Sequence, residues 1–122
     1  MRAFLREPPG GAADPLGLVV GAILGPSDDA CPASRGWLLA TYALVLEAAR
    51  RPALRDVTTR WTEAYLEALK PLLAAAGSQD PLADAELLLA AGDGLLLEKL
   101  ASGDASDLAP RLRRLARALV NG

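Results

Sequence analysis

The side chains that could carry chemistry are few in this sequence, and their types argue against catalysis. The 122 residues include no histidine and one cysteine, which excludes a histidine-based triad, a histidine-ligated zinc and an internal disulfide. Asp28 and Asp29 neighbour Cys31, and nearby negative charge raises a thiol pKa and disfavours a nucleophile. Glu47 and Glu98 remain as carboxylate candidates, but no glycine-rich phosphate loop or metal cluster accompanies them. We therefore predict that the chain is not an enzyme and uses no metal and no cofactor.

The elements that must position any site are predicted to be helices. Apolar residues make up 52% of the chain; most are alanine and leucine, and β-branched and aromatic residues are scarce, which favours helices over sheets. Asp14-Pro15 and Asp80-Pro81 are typical helix starts, Ser34 is a candidate N-cap, and Gly77 is a candidate C-terminal cap. We expect an all-α bundle of five helices over residues 14–24, 34–51, 52–76, 80–102 and from about 107 onward.

The helix after Asp80 is the most unusual of these elements, because it is apolar on nearly every face. Such a helix must be covered on more than one side. One side can pack on its own domain, and we expect the other to meet a second copy of the chain. Asp93 lies between two glycines. It is predicted to hydrogen-bond across that contact, to relieve a local helix distortion, or to lie partly exposed at a groove.

Charge and hydropathy restrict the partners and the compartment. The formal net charge of −2 provides no basic field for a phosphate backbone. The arginines at 111, 113, 114 and 117 are interpreted as a solvated helix face, since no aromatic side chains interleave with them. No apolar stretch reaches the roughly 20 residues of a membrane span, and the first residues do not read as a signal peptide. We expect a cytoplasmic protein without a membrane contact.

Several short motifs, in order, resemble the C-terminal domain of TetR-type bacterial transcription regulators. The motifs are Trp37-Leu38-Leu39-Ala40-Thr41-Tyr42, then Glu47 to Arg55 with its Arg-x-Pro-x-Leu-Arg-type junction, then Trp61 and Tyr65, Asp80-Pro81, and Ala91-Gly92-Asp93-Gly94-Leu95-Leu96-Leu97. The resemblance implies a five-helix bundle of the TetR C-terminal type, whose last two helices form a four-helix dimer interface. Residues 1–13 would be the end of a linking helix and a flexible connector, and residues 14–122 the effector-binding and dimerisation domain.

The predicted dimer contact follows one side of each of the last two helices. Its candidate residues are Leu82, Ala85, Leu89, Gly92, Leu96, Leu112, Leu115 and Leu119. Small residues among them allow close approach between helices. The competing interpretation is that these residues form the core of a single chain.

The resemblance also implies a ligand pocket and a function. We expect the pocket to be lined by most of the aromatic residues and one hydroxyl, namely Trp37, Thr41, Tyr42, Trp61 and Tyr65. The effector would be a largely apolar small molecule that controls DNA binding, commonly as a repressor, through a helix-turn-helix that has no match in these residues. The alternative is a helical protein-interaction module that binds no small molecule and acts by homo- or heterodimerisation.

Overall fold

The computed structural model describes residues 14–24, 32–103 and 107–122. These residues form five α-helices: α1 Pro15–Leu24, α2 Pro32–Arg50, α3 Pro52–Ala75, α4 Pro81–Ser102 and α5 Ala109–Asn121. No strand occurs in these ranges, so the predicted all-α, five-helix class is confirmed. The predicted connector, residues 1–13, and Cys31 with its acidic neighbours lie outside the described residues.

Proline marks the beginning of the helices. Helices α1 to α4 each begin at a proline, where the missing N–H costs nothing and the fixed φ suits the first helical turn. Asp80 caps α4 as predicted, because its Oδ1 accepts a hydrogen bond from the Ala83 N–H at 3.2 Å. The predicted cap at Ser34 is wrong: α2 already begins at Pro32, and Ser34 lies inside its first turn.

The corner between α2 and α3 is held by an arginine. The Arg55 guanidinium donates to the Ala48 main-chain carbonyl at 3.2 Å and to the Ala49 carbonyl at 3.0 Å. The last carbonyls of a helix have no partner within the helix, and here a side chain from the next helix supplies one. The junction motif Arg51-Pro52-Ala53-Leu54-Arg55 therefore has a structural role: proline restarts the helix and arginine closes the one before it.

The core forms around the shortest helix. The ten residues of α1 pack against α3, α4 and α5, while α2 packs on the outer part of α3. The largest fully buried side chains are contributed by α1, α3, α4 and α5: Val19, Leu69, Leu73, Leu88 and Leu112. One arginine of α5 also ties the first helix to the last, because Arg113 Nη2 lies 2.6 Å from Asp14 Oδ2.

Helix α4 packs closely against α1 at Gly92. A Cβ added at this position would collide with the Ile23 side chain, whereas a Cβ added at Gly21 would meet no atom within 4 Å. Helix α4 therefore requires glycine at this point because α1 occupies the space that a side chain would need.

These two glycines give a matched test of the packing. We expect Gly92→Ala to lower the free energy of unfolding by about 1–3 kcal/mol through overpacking. Gly21→Ala should raise it by up to about 1 kcal/mol, because alanine loses less backbone entropy in a helix. Urea unfolding followed by circular dichroism measures both, and a stabilised Gly92→Ala variant would contradict the close approach of the two helices.

Candidate ligand-binding site

Helices α2, α3 and α4 surround a cavity of about 490 Å³ that is partly open to solvent. This volume falls in the range of small-molecule sites. Ile23 of α1 also contributes to the lining, so the core contact with Gly92 lies directly beside the cavity. The complete lining consists of Ile23, Leu38, Thr41, Tyr42, Val45, Thr58, Thr59, Trp61, Thr62, Glu63, Tyr65, Leu89, Asp93, Leu96 and Leu97.

Four of the five predicted ligand-binding residues lie in this lining: Thr41, Tyr42, Trp61 and Tyr65. Trp61 and Tyr65 are four residues apart on α3 and so lie on one side of it, while Thr41 and Tyr42 are neighbours on α2 that both border the cavity. Trp37 lies in α2 one turn before Thr41, but its side chain is outside the described part of the structure. The fold thus brings the four together, and their contact with a ligand remains a prediction.

The polar part of the lining was largely not predicted from the sequence. Thr58, Thr59, Thr62 and Glu63 all belong to α3 and line the cavity. The available signal was their placement within a turn of Trp61 on the same helix. Thr58 Oγ1 donates to the Arg55 carbonyl at 3.1 Å, and Thr62 Oγ1 donates to the Thr58 carbonyl at 3.0 Å. Both hydroxyl protons are therefore engaged with the main chain.

Asp93 places a carboxyl group on the α4 wall of the cavity. Burial raises its pKa above the usual value, and a hydrogen bond with the Tyr42 side chain partly offsets this by lowering it. Burial, reinforced by the negative charge of Asp93, likewise raises the pKa values of Tyr42 and Tyr65. The Tyr42 hydroxyl donates to the Asp93 main-chain carbonyl at 3.4 Å, which is long for an O–H···O bond. Asp93 thus lies exposed along the cavity within one chain, and a hydrogen bond across a dimer contact stays a prediction.

The predicted dimer residues divide into two groups. Leu82 and Leu115 are 44% and 36% exposed, and Leu89 and Leu119 are partly buried. The remaining four, Ala85, Gly92, Leu96 and Leu112, are buried within one chain. A partner cannot reach these four without opening the core. Of the predicted dimer residues, only Leu82, Leu89, Leu115 and Leu119 are therefore available for a contact in this arrangement.

The outward side of α4 carries a separate apolar row. Its members are exposed and follow one another at spacings of three and four residues: Leu87, Ala90, Gly94, Leu97 and Ala101. We call these five residues the α4 stripe. The sequence did not distinguish this row from the inward one, because α4 is apolar on both sides and its periodicity is correspondingly weak.

The carboxylates considered for catalysis lie away from the cavity lining. Glu47 pairs with Arg51 at 2.9 Å at the end of α2, and Glu98 is exposed on α4. Among the residues that the structure describes, no group of three or more potential metal ligands occurs. In the same ranges, no helix combines the length and the apolar character needed to cross a bilayer.

Comparison with known families gives a match over most of the chain. A family model described as the tetracyclin repressor-like, C-terminal domain matches residues 11–122. No curated protein and no solved structure matches the chain. The match covers all five helices, including every residue of the cavity and of the α4 stripe.

The raised pKa of Asp93 has a consequence for stability. A carboxyl group whose pKa is higher in the folded state than in the unfolded state destabilises the fold once it ionises. The free energy of unfolding therefore falls as the pH rises above the unfolded-state pKa of about 3.8. We expect Asp93→Asn to gain stability relative to the wild type as the pH rises towards neutrality, and the difference to shrink at acid pH.

Urea unfolding at a series of pH values measures this difference. Asp56→Asn, the same change at an exposed position of α3, is the control. A difference between wild type and Asp93→Asn that does not vary with pH would contradict the raised pKa of the Asp93 carboxyl group.

Proposed function

Because the chain belongs to the family of tetracyclin repressor-like C-terminal domains, we propose that it is the effector-binding and homodimerisation domain of a transcription regulator. The observation that carries the proposal is the cavity of about 490 Å³ between α2, α3 and α4. It has the size and the mainly apolar lining of a small-molecule site. A helical module that acts by dimerisation alone has no need of such a cavity.

The dimer contact is proposed to use the α4 stripe together with the exposed residues of α5. Leu87 and Leu97 are 55% and 45% exposed, while Ala90 and Gly94 between them allow close approach of a second helix. Helix α5 packs beside α4 and leaves Leu115 exposed. In a two-fold arrangement the same surface of each subunit faces its copy, so burial of these side chains removes apolar area from water on both subunits at once.

Charge on the two helices is compatible with that arrangement. Glu86 and Glu98 are exposed on α4, and Arg111 and Arg114 are exposed on α5. Opposite charges on the last two helices favour the docking of α4 of one copy near α5 of the other. The effect comes from the complementary charge of the two surfaces, since individual exposed ion pairs contribute little.

Helix α4 connects the proposed effector site with the proposed dimer contact. It lines the cavity with Leu89, Asp93, Leu96 and Leu97, and Leu97 also belongs to the α4 stripe. An effector that binds two helix arrangements with different affinities shifts the population between them. In a regulator of this family, that shift would alter the spacing of two helix-turn-helix units and hence operator binding, with repression as the expected mode in a bacterial cytoplasm.

A ligand screen tests the effector-binding part. We expect some small, mainly apolar compounds to raise the melting temperature, since a ligand at 100 times its Kd adds about 2.7 kcal/mol of stability. Tyr65→Ala should abolish the shift by removing a cavity wall, and Leu46→Ala, at a site 69% exposed on α2 and outside the lining, should preserve it. A stable dimer that responds to no compound would favour the interaction-module alternative.

Molar mass in solution tests the dimer contact. Light scattering should give about twice the 12.7 kDa of one chain. Leu87→Glu places a charge in the α4 stripe and should shift the protein to monomer, because an unpaired charge is costly in an apolar contact. Leu46→Glu introduces the same charge on α2 and should leave the dimer intact. A monomeric wild type, or dissociation by Leu46→Glu alone, would refute the α4 stripe as the contact.

A further inference from the structure

The charges that line the cavity are all of one sign. Of its described lining residues, Glu63 and Asp93 are acidic, and none is lysine or arginine. Three aromatic rings, those of Tyr42 on α2 and of Trp61 and Tyr65 on α3, line the same cavity. An anionic ligand would meet two like charges there without a cationic partner, while a neutral ligand would leave both carboxylates without a counter-charge.

The hydrogen bonds of the lining point the same way. The hydroxyl protons of Thr58 and Thr62 are donated to main-chain carbonyls of α3, and the Tyr42 hydroxyl is directed at Asp93. Each oxygen retains acceptor lone pairs, and the two carboxylates are acceptors when ionised. These hydroxyl oxygens and the two carboxylates can accept hydrogen bonds from a ligand that is positively charged or donates protons, while the Trp61 indole N–H and the Tyr65 hydroxyl are donors in the same lining.

We infer that this cavity takes a hydrophobic organic cation as its effector, with Asp93 and Glu63 as the counter-charge and the rings of Trp61, Tyr42 and Tyr65 as apolar and π contacts. The inference rests on the proposed effector-binding function and specifies the ligand class. An aromatic face attracts a cation through its quadrupole, more strongly with tryptophan than with tyrosine. A small inorganic cation would leave the leucine, isoleucine and valine surface of the cavity unused, so the cation carries a bulky apolar body.

The experiment compares probes that share phenyl groups and differ in charge: tetraphenylphosphonium, tetraphenylborate and the neutral triphenylphosphine oxide. Isothermal titration calorimetry at neutral pH should show that the phosphonium binds about tenfold or more tightly than the oxide. The borate should show no binding at the same concentration. Phosphonium binding no tighter than that of the oxide would overturn the inference.

Paired variants locate the charge effect. Asp93→Asn with Glu63→Gln should weaken phosphonium binding about tenfold or more and leave oxide binding nearly unchanged. The control combines Asp56→Asn with Glu67→Gln, which removes the same two charges from exposed positions of α3 outside the lining. Equal losses in the two double variants would show that only the overall charge matters, and would refute the assignment of the carboxylates.

Trp61→Leu supplies a test that leaves both carboxylates in place. Trp61 is 40% exposed at the cavity, so its replacement spares the core and keeps an apolar surface. The phosphonium should lose several-fold in affinity and the oxide less, and equal effects on both would count against the aromatic contact.

The results also separate the inference from the proposed function. If no probe binds but uncharged compounds of the screen stabilise the protein, the ligand class is wrong and effector binding stands. If the screen fails as well, both are wrong.

Discussion

The contact between α1 and α4 is the constraint on which the rest of the structure depends. Helix α1 has ten residues, too few for an isolated helix to be stable in water, and it is held by burial against three longer helices. At Gly92 the absence of a side chain lets Ile23 fit against α4. Ile23 also forms part of the cavity lining. The close packing that fixes the core therefore also fixes one wall of the candidate site.

Each of the three helices around the cavity contributes different side chains to its lining. Helix α2 contributes Tyr42, α3 contributes Trp61 and the threonines, and α4 contributes Asp93. The corner between α2 and α3 is fixed by hydrogen bonds from Arg55, so these two walls keep their relative position through a local contact. Helix α4 contacts α1, α3 and α5. A shift of α4 would therefore be transmitted to all three of these helices.

The sequence predicted the helices well because their ends carry local signals. Pro52 and Pro81 favour helix starts through their fixed backbone geometry, and Asp80 adds a side-chain cap to the second of them. Trp61 and Tyr65 were placed near one another correctly because helical spacing puts them on one face. The orientation of α4 could not be predicted in the same way, because Leu89 and Leu87 are equally apolar and packing against the other helices decides which of them faces inward. Glu63 was missed for a related reason, since an acidic residue on a helix is usually a solvated one.

Under the function proposed above, the position of Leu97 couples ligand binding to subunit association. Its side chain lines the cavity and also belongs to the α4 stripe, so a ligand that displaces it changes how well two subunits fit. Coupling between binding events is reciprocal, and subunit association must then alter ligand affinity by the same factor. The effector concentration at which half of the sites fill would depend on how much of the protein the cell contains. In such a regulator, the abundance of the chain itself sets the threshold of its response.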